Sequence, residues 1–483
     1  MLFNSYEFIL LFLPIALIGY FALGKTKKSE LANVWLVLIS LFFYSYWNIK
    51  YLPLLILSIA VNYILSGKII AALKEKCKPR AKGYFILGMV FNVGLLGFYK
   101  YTDFLLENLN YLGADFNLLH IVLPLGISFF TITQMVYLVD TYEGIVKKRN
   151  LIDYALFVSF FPHLLAGPIL YHKSMVKQFE DETLRRVNWE NMARGSSLFI
   201  IGLAKKVLIA DNLAPYVGVS FGAPAELTFF EAWAAAICYM LQLFFDFSGY
   251  SDMAVGAARM LNIKIPYNFN RPFHAYGIID YWNRWHMSLT WAITNYLYTP
   301  MVMACKKITF AKSMIITFVA MFIAGVWHGA GWTFVIFGSI HGIGLVVNHI
   351  WKKKHLPMWR PLGHFLTLML ALVAFVFFRA DSVADALTII YAMFGGAPVV
   401  FPEKIAVFMN HYLGIIVPQL PHGWAAPKKF MLIAALMVIF LPSSQQIAAT
   451  FKPRTRYAVA LAVLMVVSLF SLTKVSEFLY FQF

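Results

Sequence analysis

His328 lies in Gly325-Val326-Trp327-His328-Gly329-Ala330-Gly331-Trp332, near the end or middle of an otherwise apolar stretch. His286 lies in Tyr281-Trp282-Asn283-Arg284-Trp285-His286, just before a second, shorter apolar stretch. An ionisable side chain in such a segment is a functional candidate by default, because hydrocarbon solvates it poorly. Imidazole, with a reference pKa of ~6.5, takes up and returns a proton near neutrality. Gly325, Gly329 and Gly331 remove bulk beside His328, so a substrate can come close. Trp327 and Trp332 can wall the same place against water. The alternative for His328 is a packing residue bonded to a neighbouring carbonyl. For His286 it is a hydrogen bond that holds its own segment. Spacing leaves both open.

A second polar group lies upstream, where Asp246 and Asp252 flank Ser248, Gly249, Tyr250 and Ser251 at the end of an apolar span. Two carboxylates there are costly unless they are paired. Arg259, Arg271 and Arg284 are close enough in sequence to pair with them, which makes a structural ion-pair network one reading and a polar substrate path the other. Ser248 has no nucleophile-elbow context, and no P-loop or dinucleotide fingerprint appears. No H-x-x-x-H or carboxylate spacing around the histidines suggests a metal. Cys77, Cys238 and Cys305 form no C-x-x-C pair and no disulfide framework. His341, on a helix with Gly338, Gly342 and Gly344, reads as close helix packing or a supporting partner. His163 and His274, beside proline and aromatic residues, read as structural.

The elements that must position these residues are membrane spans. Of 483 residues, 60% are hydrophobic and 13% charged, about half the charge of a soluble domain. Stretches long enough for a ~30 Å hydrocarbon core recur at 8–23, 33–48, 52–72, 83–99, 119–139, 194–215, 227–247, 313–328, 332–350, 363–379, 429–446 and 456–473. They predict an all-α integral membrane protein of about 11 to 13 crossings. The first stretch lacks a charged leader and a cleavage site, so it reads as a retained span. One membrane domain, 1–483, divides into N-terminal helices (1–150), a central core (151–350) and C-terminal helices (351–483).

The net charge of +17 sits in short loops between apolar segments, which argues against nucleic acid as a partner. Lysines 25, 27 and 28, the cluster at 74–82, residues 147–149, lysines 352–354 and the cluster at 452–456 all fall on one side when crossings alternate. That side is the expected cytoplasm, and both termini are expected outside. This arrangement requires 151–171 and 287–304 to enter and leave on the cytoplasmic side as re-entrant elements, bordering a polar vestibule.

At these residues the chain resembles the membrane-bound O-acyltransferase family, in its bacterial polysaccharide O-acetyltransferase branch. The segments that carry the resemblance include Phe160-Phe161-Pro162-His163-Leu164-Leu165-Ala166-Gly167-Pro168, Phe245-Asp246-Phe247-Ser248-Gly249-Tyr250-Ser251-Asp252 and Asn268-Phe269-Asn270-Arg271-Pro272. Tyr281-Trp282-Asn283-Arg284-Trp285-His286 and Val326-Trp327-His328-Gly329 are the most specific. The resemblance implies a ring of tilted helices with re-entrant elements around a central tunnel. It implies that His328 is the essential intramembrane histidine and His286 a second important polar position. Trp285, Asn283 and the 246–252 group belong to the same motifs. Thr294-Asn295, Met301–Lys307 and His163 depart from the usual pattern, which bears on the acceptor more than on the reaction class.

The implied activity moves acetyl from cytosolic acetyl-CoA, a donor substrate rather than a bound cofactor, across a bacterial inner membrane toward an exopolysaccharide. The donor phosphates would be attracted to Arg259, Arg271 and Arg284. An extracytoplasmic acetyltransferase or other polysaccharide-synthesis protein is the expected partner beside membrane lipid. The outer segment 383–425, with Pro398, Pro402, Pro418 and Pro421, would meet it or lie as a helix on the membrane. Two alternatives are a carrier-linked D-alanyl donor and a transporter with an intramembrane histidine relay.

Overall fold

The computed structural model describes residues 1–401, 403–413, 416–418, 426–472 and 479. Its elements there are helices, and seven are long and apolar enough to cross a membrane: Glu7–Gly24, Ile49–Lys74, Lys78–Tyr111, Phe229–Met260, Phe310–His328, Trp332–Lys353 and Arg360–Arg379. Each coincides with a span expected from sequence. The protein is an all-α, multi-pass membrane protein.

The other five expected spans take a different form. Leu31–Ser45, Ile127–Tyr142, Lys428–Phe440 and Thr455–Phe470 have 15, 16, 13 and 16 residues. At ~1.5 Å per residue each is shorter than a ~30 Å hydrocarbon core. The apolar run at 119–139 shows the reason. Its first residues are non-helical chain, and Gly126, at φ 73°, turns that chain into the helix. The fifth span, at 194–215, is helical from Trp189 to Gly222, with Lys205, Lys206 and Asp211 at its middle.

Helix Phe229–Met260 is the centre of the fold, with most of its apolar window enclosed by protein. Helix Trp189–Ala204 lies against it. A Cβ on Gly249 would stand 2.7 Å from the Gly202 carbonyl, so only glycine lets these backbones meet.

The two carboxylates of the central helix are paired with lysines, not with the arginines that sequence proximity suggested. Lys206 Nζ lies 2.5 Å from Asp246 and 2.9 Å from Asp211, and all three side chains are buried. Asp246 also accepts from the Leu479 N–H at 3.0 Å. Lys205 Nζ lies 2.7 Å from Asp252, which accepts from the Ser444 hydroxyl at 2.6 Å. The charges tie the helices together in the interior, where an unpaired one would be costly.

The stretch 151–171 folds back as expected. Leu151–Ser159 leads in, Phe161–Leu164 forms the tip, and His172–Glu180 follows the return. The Asn33 amide donates to Asp153 Oδ1 at 3.2 Å and to the Phe179 carbonyl at 2.9 Å, so the two ends lie together. Every residue from 156 to 170 is buried, which is where irregular backbone is tolerated at membrane depth.

The second re-entrant element differs from the one expected at 287–304. Residues 287–303 form one continuous helical run, Met287–Ile293, Thr294–Tyr298 and Thr299–Met303, which does not fold back on itself. The chain instead turns at His286, with Ile278–Trp282 as the other leg. The sequence window began at 287 because Asp280, Asn283 and Arg284 interrupt the apolar pattern of the short leg before it.

Asn268 holds this turn. Its side-chain oxygen accepts from the Ser288 N–H (3.2 Å) and the Ser288 hydroxyl (2.6 Å), and its amide donates to Ser251 Oγ at 3.3 Å. Ser288 Oγ in turn accepts from the Ile169 N–H at 2.9 Å. One buried network thus joins the central helix to both re-entrant elements.

Of the 383–425 segment, Val383–Tyr391 and Glu403–Tyr412 are helices. Pro402 and Pro421 lie outside the described residues, as do Phe478 and Tyr480–Phe483. Two stability outcomes follow. Lys206→Met leaves two buried carboxylates unpaired, at a cost of about 3–5 kcal/mol, seen as loss of folded protein in detergent. Asn268→Ala costs about 1–3 kcal/mol for the stranded partners, seen as a smaller fall in the thermal unfolding midpoint.

Candidate active site

His328 is the last residue of helix Phe310–His328, and a neighbouring span holds that helix end. Lys100 Nζ donates to the carbonyls of Trp327 (2.7 Å) and His328 (2.8 Å), and the Tyr101 hydroxyl donates to the Val326 carbonyl (2.8 Å). These are carbonyls that a helix C-terminus leaves without an internal partner. Lys100 and Tyr101 belong to a π-helical turn, Gly97–Tyr101, inside the span Lys78–Tyr111. Lys100 was missed from sequence, although a lysine inside an apolar span carries the same signal that singled out the histidines.

The His328 ring is 7% exposed and sits among Trp327, Phe378 and Phe337, with ring centroids at 5.1, 5.3 and 5.8 Å. Phe337 also touches His341, at 4.7 Å. The His341 ring is buried against Trp282 at 5.0 Å, with no hydrogen-bond partner for either nitrogen among the described residues. His286, at φ 43°, turns the second hairpin and packs edge-on against Phe247 of the central helix at 4.7 Å. His286, His341 and Lys100 are each close enough to act electrostatically on His328. The fold therefore brings together the two histidines singled out from sequence and adds a third.

The glycines near His328 serve helix packing, not the substrate access expected of them. A Cβ on Gly325 would stand 2.6 Å from Gly338 Cα, and one on Gly329 would strike the Phe334 ring. Gly338 belongs to helix Trp332–Lys353, so these two spans touch along their backbones. Trp332 does not wall the site either: it is 56% exposed, and its indole N–H donates to Asn108 at 2.9 Å.

Two cavities meet this region from opposite ends of helix Ile127–Tyr142. At its N-terminal end, a cavity of about 40 Å³ is lined by Lys100, Gly126, Ser128, Trp327 and His328. At its C-terminal end, a cavity of about 1370 Å³ is lined by Asp140, Glu143, Ile169, Lys264, Met287, Ser288, Trp291 and Tyr296, among others. The helix has 16 residues, about 24 Å. Between the cavities stands a small apolar cluster of Ile169, Leu289 and Ala292, against which Trp327 packs. The expected tunnel thus takes the form of two cavities with an apolar layer between them, beside the histidines.

The remaining sequence candidates are distributed around this centre. Trp285 packs behind His286 against Phe269 (5.0 Å) and Phe375 (5.2 Å). Ser248 and Tyr250 are buried in the central helix, with Tyr250 stacked on Phe3 at 4.8 Å. Asn283 is exposed and lines a separate cavity of about 250 Å³. Arg284 is tied to Asp280 at 2.8 Å. Arg271 donates to the Ile439 carbonyl at 3.1 Å and lines a fourth, mostly apolar cavity with Lys205 and Asp252. The large cavity takes its cation from Lys264 and none from Arg259, Arg271 or Arg284. Across it, the Tyr296 hydroxyl donates to Asp140 at 2.9 Å.

Residues 41–380 match the membrane-bound O-acyltransferase family. A peptidoglycan O-acetyltransferase of Helicobacter pylori is 43% identical over 82% of this chain and 80% of its own length. A probable alginate O-acetylase of Azotobacter vinelandii is 37% identical over 82% of this chain and 78% of its own length. A teichoic acid D-alanyltransferase of Bacillus subtilis is 28% identical over 52% of this chain. With residues 41–380 matched to its model and a 43% identical relative covered over 80% of its length, this protein is a member of the membrane-bound O-acyltransferase family.

Proposed function

We propose that this enzyme takes acetyl from cytosolic acetyl-CoA and passes it, at His328, to an acceptor on the other side of a bacterial inner membrane. The observation that carries the reading is the position of His328: it lines the small cavity at one end of helix Ile127–Tyr142, while the large cavity opens at the other end. Lys147, Lys148 and Arg149 follow that helix on the large-cavity side, which supports a cytoplasmic vestibule there. The small cavity then faces outward, and both termini lie outside.

The chemistry is acyl transfer. The thioester C–S bond breaks, a C–O bond to the acceptor forms, and the acceptor's hydroxyl proton passes through the His328 imidazole to the leaving thiolate. A positioned base contributes about 10²–10⁴-fold. The same ring as a transient acyl carrier would split the step in two, with label retained on the protein. His286 orients the donor carbonyl from the hairpin turn. The names of two relatives, a peptidoglycan O-acetyltransferase and a probable alginate O-acetylase, support a cell-envelope polysaccharide as the final acceptor; an extracytoplasmic partner protein would carry the acetyl group to it. The exposed apolar side chains Val407, Phe408 and Tyr412 on helix Glu403–Tyr412 offer that partner a surface.

A second reading, D-alanyl transfer from a carrier protein, is favoured by the likeness to the Bacillus subtilis D-alanyltransferase. Purified protein in lipid should release thiol from acetyl-CoA, and His328→Ala should lower that rate by about 10²–10⁴-fold. Equal rates would remove His328 from the chemistry. A wild-type protein inert with acetyl-CoA but active with a carrier-linked D-alanyl thioester would replace the first reading with the second.

A further inference from the structure

We propose that Lys100 is a positioning residue for the reaction: its ammonium fixes the helix end that carries His328 and braces it against the segment that opens helix Ile127–Tyr142. The inference rests on the reading of His328 as the reacting group.

Three observations support it. First, Lys100 stands inside the span Lys78–Tyr111, where a charged head is costly and an apolar residue would be the ordinary choice. Second, the head is committed to His328's own backbone. It donates to the His328 carbonyl at 2.8 Å and to the preceding carbonyl at 2.7 Å. Its third N–H faces Ser128 Oγ at 3.5 Å, across the small cavity that all three residues line. One cation thus spans the gap between the helix end and the chain around Gly126. Third, the lysine reaches this position because its span carries a π-helical turn at Gly97–Tyr101, a local widening often found at functional sites.

A general helix cap needs no charge. A lysine here matches the negative end of the helix dipole as well as its bare carbonyls. Without it the end of Phe310–His328 keeps the Trp327–Phe129 ring contact at 5.6 Å but loses the polar link to Ser128, and the imidazole shifts relative to the two cavities. A displacement of about 1 Å at a reacting group costs on the order of 10²-fold in rate.

The test compares wild type, Lys100→Met, Lys100→Arg and His328→Ala, all purified in lipid with acetyl-CoA as donor. Thiol release and thermal unfolding are measured on each. Lys100→Met should lower the unfolding midpoint no more than Asn268→Ala does and keep the KM for donor near wild type, while kcat falls about 10²-fold. Lys100→Arg, which keeps donors and charge, should recover at least a tenth of the wild-type kcat. A Lys100→Met kcat equal to wild type overturns the inference. So does a joint fall of activity and folded protein in both lysine variants, which would mark a purely structural residue. A His328→Ala variant as active as wild type overturns the reading of His328 itself, a result distinguishable from either of these.

Discussion

Backbone that leaves a helix inside a bilayer has no water to satisfy it, and this constraint organises the whole core. The protein breaks helical structure at membrane depth in several places: the tip of 151–171, the turn at His286, and the end of Phe310–His328. At each one a specific polar side chain supplies the missing partner. Ser40 accepts from the Phe161 N–H at 3.1 Å, Asn268 and Ser288 hold the His286 turn, and Lys100 holds the His328 end. Two of these breaks carry His286 and His328, while His341 lies within the regular helix Trp332–Lys353.

Two kinds of buried polar interaction divide the work. The Lys206–Asp246–Asp211 cluster and the Lys205–Asp252 pair lie along the central helix and join it to the helix beside it. Their charges are consumed by one another. The groups around His328 are different: the His341 nitrogens and the Trp327 and Trp282 indole N–H groups are buried with no hydrogen-bond partner among the described residues. Orphaned donors of this kind are costly in an empty apolar interior and ordinary beside a polar substrate.

Much of this was legible in the sequence, for identifiable reasons. Long spans announce themselves by hydropathy, and the seven full-length ones were located. His328 and His286 were legible because an ionisable group in an apolar segment is unusual. Five expected spans are not single long apolar helices, since an apolar window such as 119–139 continues through chain that is no longer helical. Charge partners were misassigned: Arg259, Arg271 and Arg284 are near Asp246 and Asp252 in sequence, but Lys205 and Lys206 are near them in space. The short leg of the second hairpin escaped notice because Asp280, Asn283 and Arg284 interrupt its apolar pattern. Lys100 was passed over because the expected span, 83–99, ended one residue before it, whereas the helical chain runs on to Tyr111.

The central claim is that an acyl group crosses from one face to the other at His328. Lipid vesicles with the enzyme in one orientation, a soluble acceptor trapped inside and labelled acetyl-CoA outside, test it directly. Donor reaching the large cavity should place label on the trapped acceptor with wild-type enzyme and none with His328→Ala. Label confined to the donor side, or crossing equally with His328→Ala, would contradict the account.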